Sequence, residues 1–162
     1  MKTTIKLKGK IVFDPKDVTT KHKSQSNWKK TAMIVFESDI SGYYAWFIKK
    51  RYSLPLNKPL RGAHVMIISD RESAMNDKWG EVKAKWSGRE IEITLSVDPR
   101  TSGSHWWLNI PEENRGEIHD IRRELGLLRP FFGLHLTIGH PNEKYIEHSE
   151  YIHCLIKNGL VD

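Results

Sequence analysis

The chain has 162 residues, of which 38% are hydrophobic and 28% are charged, and this composition argues against a largely disordered protein. No apolar run approaches the roughly 20 residues that a membrane-spanning helix needs, which argues against a transmembrane protein. Lysine and arginine number 26 against 20 aspartates and glutamates, and this excess of six favours a polyanion or a small phosphate-bearing ligand.

The first half of the chain predicts two strands, a helix and a third strand. The strands are expected over Ile5 to Phe13, about Trp28 to Phe36, and Ala63 to Ser69. A polar loop over Lys21 to Asn27 separates the first two. Ser38 or Asp39 can cap the helix. Its apolar positions recur at helical spacing and predict a core stripe of Ile40, Tyr43, Tyr44, Phe47 and Ile48.

The second half predicts the same order of elements. Alternating apolar residues over Ile91 to Val97 indicate a strand, and a turn at Asp98 to Gly103 joins it to a pairing partner over Ser104 to Ile110. A helix from Glu112 ends near Gly126, where a left-handed residue is favoured. A strand over His135 to Ile138 follows, and a closing helix is expected over residues 143–157.

One nine-residue block occurs twice. Residues 59–67 (PLRGAHVMI) align without a gap onto residues 130–138 (PFFGLHLTI), with four identities at an offset of 71 (135 − 64). This repeat predicts one duplicated domain over residues 1–162, with pseudo-symmetric lobes roughly over 1–75 and 76–162. If the lobes pack about a twofold axis, His64 and His135 face each other across one cleft.

Two histidines sharing one substrate suit phosphodiester cleavage by a neighbouring ribose hydroxyl. An imidazole with a pKa of about 6.5 can accept or donate a proton near neutral pH. One histidine would take the proton of the 2′-OH, and the other would protonate the departing 5′-oxygen. Thr137 lies two residues after His135 and shares its face of the strand, so its hydroxyl can donate to the phosphate. Arg61 and Lys58 are candidate phosphate-binding cations.

The paired motifs resemble those of the two-histidine phosphoesterase superfamily, whose signature is one His-x-Thr/Ser motif per lobe. More narrowly, residues 43–69, 103–110 and 129–143 look like the phage anti-CBASS phosphodiesterases, which degrade the cyclic di- and trinucleotides that bacteria use as antiphage signals. The resemblance implies an α+β fold in which two antiparallel sheets flank a central cleft, with helices outside. It also implies catalytic roles for His64, His135 and Thr137, a 3′,5′-linked cyclic substrate and chemistry without a metal or cofactor.

Met66 departs from this pattern, because it stands where the first motif should carry Thr or Ser. A thioether has no proton to donate, and losing one hydrogen bond to a charged phosphate costs about 1.5 to 3 kcal/mol. We therefore expect a slower or differently selective enzyme, with Met66 in contact with the substrate. Two alternatives stay open: a sponge that binds cyclic nucleotides without cutting them, and an enzyme acting on RNA 2′,3′-cyclic phosphates.

Tryptophans and the remaining histidines complete the expectations. Trp106 and Trp79 are candidates for stacking on a nucleobase; Trp106 and Trp107 are adjacent on a strand, so at most one of them lines a given cleft. The other six histidines are expected to be surface or packing residues. The lone Cys154 leaves no second thiolate for a disulfide or a usual zinc site. Without a signal-peptide pattern, the expected location is the cytoplasm. The resemblance implies that this is the cytoplasm of a phage-infected host bacterium.

Overall fold

A computed structural model describes residues 3–15, 30–59, 62–69, 72, 74–111, 115–128, 130 and 133–161. The loop predicted over Lys21 to Asn27 and the strand start predicted at Trp28 lie outside these residues. The elements are β1 (Thr4–Phe13), β2 (Ala32–Phe36), α1 (Ile40–Tyr52), β3 (Leu56–Asn57), β4 (His64–Ile68), α2 (Asn76–Trp86), β5 (Glu90–Ser96), β6 (Arg100–Thr101), β7 (Trp106–Asn109), α3 (Gly116–Glu124), β8 (His135–Pro141), a 3-10 turn (Glu143–Tyr145) and α4 (Ile146–Lys157).

The fold is α+β, and its strands form one sheet. Across the described residues, eight antiparallel strands form a curled half-barrel in the order β5-β1-β2-β4-β8-β7-β6, with β3 pairing separately with β8. The expectation of two sheets flanking a cleft is therefore wrong. The two halves of the chain are joined because β4 and β8 pair at Val65 and Leu136.

The predicted pairing of β5 with β7 is also wrong. β5 pairs with β1, with Ile5 opposite Leu95 and Leu7 opposite Ile93, while β7 lies between β6 and β8. Both β1 and β5 alternate apolar and polar side chains. When these strands pair, although they are far apart in sequence, their apolar side chains lie on the same face of the sheet. A strand from the second half thus completes the first lobe's side of the sheet.

The strand registers can be compared with the offset of the nine-residue block. The central pair Val65 and Leu136 is separated by the same 71 positions (136 − 65). β2 pairs with β4 as β7 pairs with β8, and both ladders contain a register shift, one between Ala32 and Met33 and the other between Trp106 and Trp107. The two lobes therefore share the same irregularity.

The helices follow local signals that the sequence carries. Asp39 caps α1, with its carboxylate accepting from the backbone N–H of Gly42 at 3.2 Å. Gly126 lies just after α3 with a φ of 72°, as expected for a helix C-terminus. In α1, Tyr44 and Ile48 are buried, but Tyr43 is 57% exposed, so the predicted aromatic core stripe holds only in part.

α2 was not predicted from the sequence. Trp79, predicted as a candidate for stacking on a nucleobase, lies in this helix and is buried with Val82 and Trp86 at positions i, i+3 and i+7. The repeating unit is thus strand, strand, helix, strand, helix, because α2 follows β4 as α4 follows β8.

Arg122 of α3 forms a buried ion pair with Glu72 and a hydrogen bond to β4, the strand that carries His64. The Arg122 guanidinium is 2% exposed and donates to both carboxylate oxygens of Glu72 and to the carbonyl of Ile67, the last contact measuring 2.8 Å. A buried charge needs this degree of pairing because its desolvation is costly.

Among the described helices, none combines the length and apolar content that crossing a bilayer requires.

Candidate functional site

Four side chains of the two motifs share one face of the central strands. In β4 and β8, Val65 and Leu136 are fully buried, as are the residues two positions on, whereas the alternate positions are only half-buried. These alternate positions carry His64, Met66, His135 and Thr137. The sheet therefore directs the motif side chains away from its packed core, as period-two alternation predicts.

The central register brings the two histidines close together. With Val65 opposite Leu136, the adjacent positions place His64 opposite Thr137 on one side of this pair and Met66 opposite His135 on the other. Diagonal neighbours on antiparallel strands lie about 7–8 Å apart. This spacing lets both imidazoles reach oxygens of one phosphodiester.

Both histidines are oriented by the same backbone contact. Nδ1 of His64 lies 2.9 Å from the carbonyl oxygen of Gly62, and Nδ1 of His135 contacts the carbonyl oxygen of Gly133. A carbonyl only accepts, so each Nδ1 carries the proton and donates it. In each neutral ring, Nε2 is left as the nitrogen that can take up a proton.

Two further histidines stand beside His135. His105 Nε2 lies 3.4 Å from His135 Nε2, and His105 Nδ1 lies 3.3 Å from His140 Nδ1. Trp107 stacks on the His105 ring at a centroid distance of 5.3 Å, and its edge approaches His135 at 6.2 Å. The second lobe therefore surrounds its motif histidine with aromatic rings.

Burial shifts the protonation of this group. Desolvation lowers the pKa of His105 to about 4, and the neighbouring charges of His135 and His140 act in the same direction. Desolvation also lowers the pKa of His135, against the opposing effect of its bond to the Gly133 carbonyl. Both rings are accordingly neutral at pH 7 in the ligand-free protein.

The other motif positions differ in what they offer a phosphate. Thr137 presents a hydroxyl, and the buried Ser41 of α1 fixes the strand there by donating to the Thr137 carbonyl at 2.9 Å. Met66 occupies the equivalent position of the first lobe without a hydroxyl. Lys58, another predicted phosphate contact, is exposed and lies 3.9 Å from Asp39.

The two predicted tryptophans do not join this face. Trp106 is fully buried, donates to Ser149 at 2.9 Å and packs against Tyr52, so its indole is enclosed rather than open to a base. Trp79 is buried and donates to Asp14 at 3.0 Å. Arg61 lies outside the described residues.

Sequence reasoning missed His105, His140 and Trp107, which the structure gathers around His135. It had assigned the first two to surface or packing roles. The choice between Trp106 and Trp107 needed the register of β7 on β8, where Trp107 lies opposite Thr137. For the histidines, the only available signal was their proximity in sequence to the predicted strands.

Within the described part of the chain, no group of three or more His, Cys, Asp or Glu side chains is arranged to hold a metal ion. The three clustered imidazoles contact one another in a chain, so their nitrogens do not converge on one point.

No protein-family model, no curated protein and no solved structure matches this chain.

Proposed function

We propose that the protein is a metal-independent phosphodiesterase that opens 3′,5′-linked cyclic di- and trinucleotides, acting as an anti-CBASS enzyme in the cytoplasm of a phage-infected bacterium. One observation carries the chemistry: His64 and His135 lie diagonally across two adjacent strands, each fixed through Nδ1 to a backbone carbonyl. The cyclic substrate and the phage setting come from the resemblance of the motif segments to the anti-CBASS family.

The reaction needs one proton acceptor and one proton donor on opposite sides of a phosphate. One Nε2 takes the proton of the 2′-OH, the 2′-oxygen attacks phosphorus, and the P–O5′ bond breaks as the other Nε2 protonates the leaving oxygen. The ring opens to a linear product with a 5′-hydroxyl and a 2′,3′-cyclic phosphate. The Nδ1 contacts that hold both imidazoles support this step, since a held ring loses less freedom on reaching the reacting geometry.

The surroundings of the histidine pair suit a nucleotide. Thr137 offers a hydroxyl to a non-bridging oxygen, where negative charge must be held as the bond breaks. Trp107, half-buried on the same face, presents an indole that can stack on a base, a contact worth about 1 to 3 kcal/mol. The chain's excess of six basic residues favours an anionic substrate over long range.

A cyclic-nucleotide sponge is the second candidate, and Met66 favours it. The repeated block aligns Met66 with Thr137, so one of two expected hydroxyl donors is missing from the face that would hold the phosphate. The loss is about one to two decades in rate if the bond is made only in the transition state. Direct acid–base catalysis by each histidine is worth about two to four decades, so the enzyme remains the better-supported proposal.

The deciding experiment incubates the purified protein with a panel of cyclic di- and trinucleotides in EDTA and follows products by chromatography. Linear product that disappears in both His64→Gln and His135→Gln supports the enzyme. Intact ligand recovered after denaturing the protein supports the sponge. Faster turnover of a 2′,3′-cyclic mononucleotide than of any cyclic dinucleotide would transfer the assignment to RNA-end processing.

A further inference from the structure

His105 lies close to the nitrogen of His135 that would act on the substrate. Nε2 of His105 is 3.4 Å from Nε2 of His135, and the two rings meet edge to face at a centroid distance of 5.3 Å. A phosphate with one ester oxygen at His135 Nε2 would bring its other oxygens close to His105, because the oxygens of one phosphate group lie side by side. His105 is therefore placed to contact the same phosphate as His135.

The contact between the two rings fixes which nitrogen of His105 carries a proton. Burial lowers the pKa of His135 below its usual 6.5, so its ring is neutral at pH 7. Its Nδ1 contacts the carbonyl oxygen of Gly133, which only accepts, so Nδ1 carries the single proton and Nε2 is an acceptor. The proton between the two rings therefore belongs to Nε2 of His105, which is a hydrogen-bond donor.

Neighbouring rings hold the His105 imidazole in place. Trp107 stacks on it with 25° between the ring planes, and Nδ1 on its far edge lies 3.3 Å from Nδ1 of His140. Desolvation lowers the pKa of His105 to about 4, so this ring is also neutral at pH 7 and donates from one nitrogen only. A donor that is held before the ligand binds needs little reorganisation to stabilise charge on a phosphate.

The first half of the chain carries Thr31 at the position equivalent to His105. The register shift that both ladders contain aligns Met33 with Trp107, an offset of 74 (107 − 33), and the same offset aligns Thr31 with His105. Thr31 is 1% exposed, so its hydroxyl is closed to a ligand. Met66, in the same half, offers no hydroxyl. At these two pairs of positions, the donors that a phosphate could reach come from the second half.

We infer that His105 is a further catalytic residue, whose neutral Nε2–H donates to a non-bridging oxygen of the cleaved phosphate in place of the hydrogen bond that Met66 cannot make. The inference rests on the proposed function, because it adds a contact within that reaction. His105 keeps its proton throughout and exchanges one acceptor for another. It donates to His135 Nε2 in the ligand-free protein and to a charged oxygen, a stronger acceptor, in the complex. The exchange also frees Nε2 of His135 for the substrate.

Sulfur at the non-bridging positions tests this contact. Two phosphorothioate diastereomers of a cyclic dinucleotide, with the same configuration at both phosphates, each replace one non-bridging oxygen by sulfur, a weak acceptor. His105→Phe keeps a ring against Trp107 and removes the donor. It should lower kcat/KM on the all-oxygen substrate by about one to two decades. On the diastereomer with sulfur at the oxygen that His105 holds, wild type has already lost the bond, and the two proteins should differ by less than about threefold.

His105→Gln is the matched variant, because its side-chain amide places an N–H donor near the position of the lost Nε2–H. It should turn over the all-oxygen substrate faster than His105→Phe and again distinguish the two diastereomers. Circular dichroism checks that both variants are folded. A loss by the same factor on all three substrates for His105→Phe would make His105 a structural residue, and equally slow Phe and Gln variants would exclude a donor. Either result overturns the inference while leaving the phosphodiesterase intact.

A 2′-deoxy cyclic dinucleotide lacks the attacking hydroxyl and tests the contact without turnover. Ring ¹⁵N shifts at pH 7 should place the proton of His105 on Nε2 before and after this analogue is added, and His105→Phe should bind the analogue about threefold to tenfold more weakly. A proton on Nδ1 of His105, or equal binding by the two proteins, overturns the inference. If wild type cleaves no cyclic nucleotide, the proposed function fails by that result, and the binding comparison still decides whether His105 contacts the phosphate.

Discussion

Removing the imidazole of His105 should flatten the pH dependence of folding stability. The folded pKa of His105 is about 4, whereas an unfolded histidine titrates near 6.5. Between these values the unfolded state binds more protons than the folded state. The contribution of His105 to the free energy of unfolding is therefore fully present above pH 6.5 and is lost as the pH drops toward 4. His105→Phe keeps an aromatic ring in place and removes this titration.

The magnitude follows from the difference between the two pKa values. At 1.36 kcal/mol per pH unit, a lowering from 6.5 to about 4 corresponds to about 3 kcal/mol. The His105 ring is partly exposed, and solvent screening reduces the expected effect to about 1 to 2 kcal/mol. The direction is unaffected by this reduction.

Urea unfolding at pH 7.0 and pH 4.5 measures the effect. The free energy of unfolding of wild type should fall by about 1 to 2 kcal/mol more than that of His105→Phe. The Glu72 to Arg122 pair and the remaining carboxylates are common to both proteins, so their contributions cancel in this difference. Equal losses of unfolding free energy between pH 7.0 and pH 4.5 in wild type and His105→Phe would refute the reasoning.

Three predictions concern the proposed catalytic face of β4 and β8. His64→Gln and His135→Gln should each lower kcat on a cyclic dinucleotide by about 10² to 10⁴ with unchanged circular dichroism, and near-normal turnover would remove that histidine from the mechanism. Thr137→Val should slow turnover by about one to two decades without lowering the urea midpoint; wild-type kinetics would contradict a phosphate contact. Met66→Thr should raise kcat by up to about the same factor, and an unchanged rate would show that the site has adapted to methionine.

Local patterns predicted much of the second-lobe strand and the first helix. The His-x-Thr spacing placed His135 and Thr137 on one face, and the alternating burial of β8 agrees. The Asp39 cap and the left-handed Gly126 were predictable because they depend on residues within one or two turns. The repeated block contains Val65 and Leu136, the pair at which β4 and β8 meet, and these two residues are separated by the block's offset of 71.

The errors arose where structure depends on distant partners. The hairpin of β5 with β7 was expected from proximity in sequence, but β1 offers β5 a longer matching ladder. α2 was a missed local signal, because Trp79, Val82 and Trp86 already show helical spacing around Gly80. His105 was beyond sequence reasoning, since its position next to His135 depends on the register shift in β7.

If the two halves of the fold were identical, the two motif histidines would have the same surroundings and the same pKa. Ring opening needs one neutral and one charged imidazole at the same moment, so the surroundings must differ. Equivalent positions that differ between the two halves include Thr31 against His105 and Met66 against Thr137. Under the proposed function, these differences give the two histidines different surroundings, with His105 beside His135 and the Thr137 hydroxyl on the second strand. The repeated block would then supply the reacting pair, and the residues that differ between its copies would distinguish the two histidines.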